Sequence, residues 1–227
     1  MTKERYHHGD LRSALLDAAE ALVRERGADG WSLREASARV GVSPSAAYHH
    51  FASREALVRA LSARVLTQLA ERMNAPDPAP AHTEHDRLVA IGRTYVTWAV
   101  EDPAVFRLAH GTGSPGPDLD VSPHPHDVLD AELDRLVNAG VLPPASRPGA
   151  EFVVWAAVHG LAALLTEGSM ALNGPDAIDH QVERVVRTVL SGLKQEPTPS
   201  PPWPTAHSPH TDRRERANQP HPQNLDR

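Results

Sequence analysis

No cysteine occurs in the 227 residues, which excludes disulfide frameworks, thiol nucleophiles and cysteine metal sites. With no secretory signal present, that absence is uninformative about a secretory route. The leading segment MTKERYHHGD is charged and polar without an apolar h-region, and no apolar run approaches the roughly 18 residues needed to span a bilayer. The expected location is cytoplasmic, with no membrane partner. No nucleophile elbow, P-loop or Rossmann glycine pattern is found, and Gly111 to Gly116 neither follows a predicted strand nor opens a helix. The 14 histidines include the close pairs His7-His8, His82 with His85 and His124 with His126, but none has HExxH spacing or a convincing set of carboxylates beside it. No enzyme activity, cofactor or metal is expected.

What is present is helical almost throughout. In Ser32 to Val40 the serine is a natural N-cap, Glu35 completes a capping box, and Leu33, Ala36, Ser37 and Val40 share one helical face. Gly41 stops that helix, Val42 is an apolar plug, and Ser43 caps a second helix with Pro44 at its first position, running to about Phe51. Two short helices broken at one defined place read as a helix-turn-helix. The second helix leads with small residues, Ser43, Pro44, Ser45, Ala46 and Ala47, and trails with Tyr48, His49 and His50. Small residues permit close approach to base edges, and hydroxyl or cationic groups suit phosphates. Ser53 caps a further helix whose second position, Arg54, is a candidate phosphate clamp. Read singly, Tyr48 and Phe51 also suit core aromatics and the histidine pair a solvated face.

The run VGVSPSAAYHHFASREALVRAL, preceded by ALLDAAEALVRERGADGWSLREASARV, resembles the N-terminal DNA-binding domain of the TetR family of transcriptional regulators (AcrR-like), over roughly residues 10 to 60. The resemblance implies that residues 44 to 50 form the recognition helix, that Tyr48 and His49 approach the DNA backbone, and that Arg54 contacts phosphate. Ser32, Arg34, Ser43, Pro44, Ser45 and Ala46 complete the expected DNA-binding set. This sequence departs from the common pattern in Pro44 and in having no Lys or Arg inside the recognition helix, so no bidentate Arg-to-guanine pair is available there.

The net charge of -6 is unevenly spread. Residues 1 to 72 hold 11 Lys plus Arg against 9 Asp plus Glu, while the remainder holds 12 against 20. The DNA-compatible surface is therefore at the N-terminal end. Residues 1 to 9 read as a flexible arm in which Lys3 and Arg5 are possible extra contacts.

A first helix is expected from an Asp10 cap to Gly27, with Leu11, Leu15, Ala18, Ala19, Leu22 and Val23 as core. Trp31 is expected to act as a staple or lid on the three-helix unit. Ser53 to about Met73 forms a long strut that leaves the DNA-binding domain, residues 10 to 70. After a Pro and Ala-rich loop at 75 to 83, a second domain, 84 to 194, comprises an amphipathic helix from Glu84 to Val100, short helices at Pro103 to His110 and His126 to Asn138, and two final helices. The fold class is all-α. The helix at 148 to 172 is nearly apolar all round and is expected to be buried on every side. Together with the helix at 175 to 194 it is the expected homodimer interface, as in the resembled family. Residues 195 to 227 hold only Trp203 and Leu225 as large apolar residues and are expected to be disordered, with Arg213, Arg214 and Arg216 possible nonspecific DNA contacts.

Trp155, His159 and Gly160 resemble the signature of a WHG-type C-terminal domain. One turn of spacing puts Trp155 and His159 on one face, suiting either a pocket for an unknown small-molecule effector or a satisfied core histidine with Gly160 permitting close helix packing. Trp98, Phe106 and His110 are further lining candidates. The function expected is a dimeric, ligand-responsive repressor on a palindromic double-stranded operator. The alternative is a helical small-molecule or partner-binding protein that keeps the helix-turn-helix as scaffold.

Overall fold

The computed structural model describes residues 8–75, 83, 85–111 and 121–195, and every element among them is helical. The N-terminal unit is α1 (His8–Arg26), α2 (Leu33–Val40) and α3 (Pro44–His50). A 21-residue helix, α4 (Arg54–Asn74), leads to α5 (Asp86–Glu101), α6 (Pro103–His110), α7 (Pro125–Asn138), α8 (Ala150–Thr166) and α9 (Pro175–Gln195). The arm residues Lys3 and Arg5, His7, most of the 75 to 83 loop and the tail from 196 lie outside the described residues.

Local chemistry places most boundaries. Among the described residues α1 already runs through Asp10, which was the expected cap. α8 is shorter than expected. It starts after Gly149 and stops at Thr166, where Gly168 takes φ 75 and the Met170 amide donates to the Leu164 carbonyl at 3.0 Å. A left-handed glycine closing the last turn outweighs the apolar sequence that continues past it.

α4 holds the molecule together. Leu57, Leu61, Val65, Leu69 and Met73 recur along one buried stripe. α4 packs against α1 on one hand and α5, α6 and α7 on the other, so the two halves share one core. Burying each of these side chains is worth about 1.5–3 kcal/mol. Polar contacts reinforce the junction: Arg64 pairs with Asp17 and with Glu20 of α1, both at 2.6 Å, and Arg24 of α1 reaches Asp102, the N-cap of α6, at 2.7 Å. Such surface pairs, of which Arg64–Glu20 is partly buried, mainly set register.

In the C-terminal half α5 is the central element, packed against α8 and α9. The close approach of α5 and α9 depends on Gly92, where a Cβ would meet Val182 Cγ1 and Val186 Cγ2 at 3.2 Å each. Gly160, expected to permit tight packing, has nothing within 4 Å of that position. The expectation that the α8 helix is buried on every side is corrected within the single chain. α8 packs mainly on α5, α7 and α9 and touches α6 through His159, while another side leaves Phe152, Val153 and Leu164 exposed by 50%, 47% and 42%.

Gly92→Leu should therefore overpack the α5–α9 contact and lower unfolding free energy by about 1–3 kcal/mol, read as a lower urea midpoint with an unchanged m-value.

Candidate functional site

The helix-turn-helix is fixed by reciprocal caps. Ser32 Oγ accepts from the Glu35 amide at 3.3 Å while Glu35 Oε2 accepts from the Ser32 amide at 2.9 Å. Gly41 takes φ 80, the Val42 amide donates to Ser37 O at 3.0 Å, and Ser43 Oγ accepts from the Ala46 amide at 3.3 Å. Arg26–Glu35 at 2.5 Å and Arg39–Glu25 at 2.6 Å tie α2 to α1. The Arg26 guanidinium, with the Ser32 donors, holds the Glu35 carboxyl below its usual range. In α3, Ala47 is fully buried and anchors the helix, whereas Tyr48 is 50% exposed. Arg34, Ser43, Pro44, Ser45, Tyr48 and His49 are exposed; Ser32 and Ala46 are half-buried.

Arg54 is arranged differently from these. Its Nε donates to Trp31 O at 2.9 Å, its Nη2 donates to Ala28 O, and the guanidinium sits 4.7 Å above the Trp31 ring with Asp29 at 3.6 Å. The side chain thus closes the turn between α1 and α2 from beneath. Trp31 is buried, as a lid residue should be.

The second site centres on Tyr95 of α5. Its hydroxyl lies 3.0 Å from His110 Nε2 of α6 and 2.8 Å from His159 Nδ1 of α8. Trp155 meets the Tyr95 ring edge-on at 5.0 Å, Phe106 meets it at 6.2 Å and Trp98 at 6.0 Å. The five residues expected to line a pocket therefore converge, although they come from three helices. Trp155 and His159 are stacked within 10°, and His126 stands edge-on to Trp155 at 4.2 Å. Tyr95 and His126 were not among the expected lining residues. The spacing of Tyr95 and Trp98, one turn apart on α5, was the available signal for the first.

Burial sets the protonation of this cluster. It pulls His110 down to about 4, with the neighbouring His159 adding to the effect, and it lowers His159, His126 and His124 as well. Burial also raises Tyr95, so the phenol keeps its proton. Beside Tyr95 and Trp155 lies an apolar cavity of about 20 Å³ with Met73, Leu88 and Leu129 among its walls. A larger cleft of about 180 Å³ lies between the halves, lined by Glu20, Arg24, Gln68, Arg72, Asp102 and also Trp98. Trp98 is common to the cleft and the ring cluster.

Two family models match this chain. That of bacterial regulatory proteins of the tetR family covers residues 15–61, and that of the tetracyclin repressor-like C-terminal domain covers 88–189, together about two thirds of the sequence. The chain belongs to the TetR family. One similar relative is the HTH-type transcriptional regulator Rv1816 of Mycobacterium tuberculosis, 30% identical over 115 residues, which are 50% of this chain and 49% of that protein. The regulator BetI of Brucella suis is 32% identical over 80 residues, 35% of this chain and 40% of its own. The chain spans about half the length of the curated relatives it matches. Among solved structures, a protein of unknown function from Rhodococcus sp. RHA1 superposes with TM-score 0.72 at 26% identity, covering 85% of this chain and 100% of that one. MexZ, a repressor responsible for antibiotic resistance in Pseudomonas aeruginosa, superposes with TM-score 0.56 at 19% identity, over 82% and 96%. At that identity the likeness shows the TetR-type fold alone. Among the described residues no helix is long and apolar enough to cross a membrane.

The histidine shifts give the TetR-type core a pH signature. Folded-state values below the ordinary 6.5 mean that the unfolded chain binds protons first, so stability is full above about pH 6.5 and falls as pH drops toward 4. Urea unfolding at pH 5 should show about 1–2 kcal/mol less stability than at pH 7.5, and His110→Phe should remove a large part of that difference.

Proposed function

We propose that this chain is a DNA-binding transcriptional regulator that acts as a homodimer on a palindromic operator, as a repressor released by a small-molecule effector. The observation that carries it is the doubly capped α2–α3 unit, which buries Ala47 and leaves Arg34, Ser43, Pro44, Ser45, Tyr48 and His49 exposed. Small residues and a tyrosine hydroxyl at a rigid helix-turn-helix suit close approach to a major groove edged by phosphates. Ser32 and Ala46 border that surface. Arg54 serves it indirectly, by holding the turn against Trp31. The names of the similar regulators support the same reading.

Dimerisation is supported by the exposed side of α8. Phe152, Val153 and Leu164 are large apolar residues left in water by a single chain. Pairing α8 and α9 with their symmetry mates would cover them and set two recognition helices about 34 Å apart, one turn of DNA. The Trp155, His159 and Gly160 set supports a C-terminal domain of WHG type, and the ring cluster around Tyr95 is the effector site. Coupling runs through α6, which carries His110 at one end and meets Arg24 of α1 through Asp102 at the other. A regulator of this kind works in the cytoplasm.

Selection of double-stranded DNA from a random pool should return a palindrome, and Phe152→Glu with Val153→Glu should give a monomer that has lost at least 100-fold in affinity for it. Tight small-molecule binding with no DNA preference in any pool would favour the scaffold reading instead. Arg34→Ala should flatten the slope of log affinity against log salt by about 0.9, one phosphate contact. Arg54→Ala should leave that slope unchanged and cost about 1–3 kcal/mol of stability, because two carbonyl partners and the Trp31 ring lose their donor.

A further inference from the structure

Tyr95, His110 and His159 share protons under a tight constraint. The phenol carries a single proton, and its oxygen has two ring nitrogens in reach, His110 Nε2 at 3.0 Å and His159 Nδ1 at 2.8 Å. If Tyr95 donates to His110 Nε2, then His159 Nδ1–H donates to the phenol oxygen, and both imidazoles carry their proton on Nδ1. If Tyr95 donates to His159 Nδ1, then His110 Nε2–H donates to the phenol, and both carry it on Nε2. In either arrangement the two far nitrogens, His110 Nδ1 and His159 Nε2, are one donor and one acceptor. They exchange roles together when the phenol proton moves to the other side, one far N–H releasing its proton to solvent or to a bound donor–acceptor edge while the other far nitrogen takes one up.

The surroundings define what such a relay recognises. His110 and His159 are intermediate in burial, and their rings lie 4.9 Å apart. The walls are flat rings: Trp155 stacks with His159, Phe106 lies 5.5 Å from it, and Trp98 packs on Phe106 at 5.7 Å. Burial keeps the imidazoles neutral. Of the carboxylates acting on the neighbouring His126, Asp130 and Glu151 are bonded to Arg147 and Asp127 accepts from the His124 amide. Among the described residues neither a fixed cation nor a fixed anion bonds to the relay.

We propose that Tyr95, His110 and His159 form a two-state hydrogen-bond relay, and that the effector is an uncharged planar aromatic molecule bearing a donor and an acceptor side by side, as in a lactam or primary amide. This inference rests on the reading of the ring cluster as the effector site. A flat ligand replaces ring-on-ring contacts with its own, and its paired polar edge satisfies both far nitrogens at once. A ligand with an acceptor alone satisfies one nitrogen and strands the other, which costs on the order of a hydrogen bond. A carboxylate meets no countercharge and loses its hydration.

Two measurements on the full chain test this. Nitrogen NMR of the imidazoles at pH 7.5 should find His110 and His159 neutral and always in the same tautomeric form. One ring protonated on Nδ1 and the other on Nε2, or a charged ring, overturns the relay. Tryptophan fluorescence and thermal shift should then compare three probes of one shape: isoquinolone with adjacent N–H and C=O, isocoumarin with oxygen in place of the N–H, and naphthoate with a charge. Isoquinolone should bind at least 10-fold more tightly than isocoumarin, naphthoate should not bind, and Tyr95→Phe, which keeps the ring, should abolish the preference. Equal binding of isoquinolone and isocoumarin, or a preference that survives Tyr95→Phe, overturns the relay and leaves the effector-site reading standing. No response to any of the three overturns both.

Discussion

The buried stripe along α4 is the constraint on which the rest depends. Leu57 and Leu61 stand at the end facing the helix-turn-helix unit, and Leu69 and Met73 at the end facing the aromatic cluster, with Val65 between them. Because an α-helix is stiff over 21 residues, roughly 30 Å, the same side chains cannot satisfy one half while ignoring the other. Met73 and Tyr95 share the wall of the small apolar cavity, so a change at the rings is felt at the last turn of α4. Interiors packed to this density repack between discrete arrangements rather than bending smoothly. That property is what the effector response proposed above requires.

The polar connections at the junction complement the stripe. Asp102 caps α6 and pairs with Arg24, Arg64 bridges Asp17 and Glu20, and Ser62 Oγ donates to Leu108 O at 3.5 Å. Each exposed pair contributes little to stability. Together they fix how α1, α4 and α6 meet, which is what a small displacement of α6 would alter. The cleft of about 180 Å³ beside Trp98 and Arg24 leaves space for such a displacement.

How much of this was legible in the sequence depends on the range of the interactions. Caps are local, so Ser32 with Glu35, Gly41, Ser43 with Pro44 and Ser53 placed the ends of α2, α3 and α4 closely. The apolar composition of 148 to 172 announced α8 but not its end, because the glycine at 168 acts through backbone conformation rather than polarity. Arg54 read as a phosphate clamp from its position after a cap. Its partners, Ala28 O and Trp31 O, lie more than 20 residues upstream and no local pattern reveals them. The ring cluster was half legible: i, i+4 spacing joined Trp155 to His159, but Tyr95 is 64 residues from His159 and reads locally as one more core position. Similarly Gly160 drew attention through its motif, while the glycine that packs closely is Gly92.

The central claim is that the helix-turn-helix and the aromatic cluster belong to one cooperative unit joined by α4. Native-state hydrogen exchange across a urea series measures this most directly, because it reports the opening free energy of each helix separately. The account predicts that amides in α1, in both ends of α4 and in α5 open with the same free energy and the same urea dependence. An α1 to α3 unit that opens at a lower urea concentration than α5, with α4 dividing between them, would contradict it.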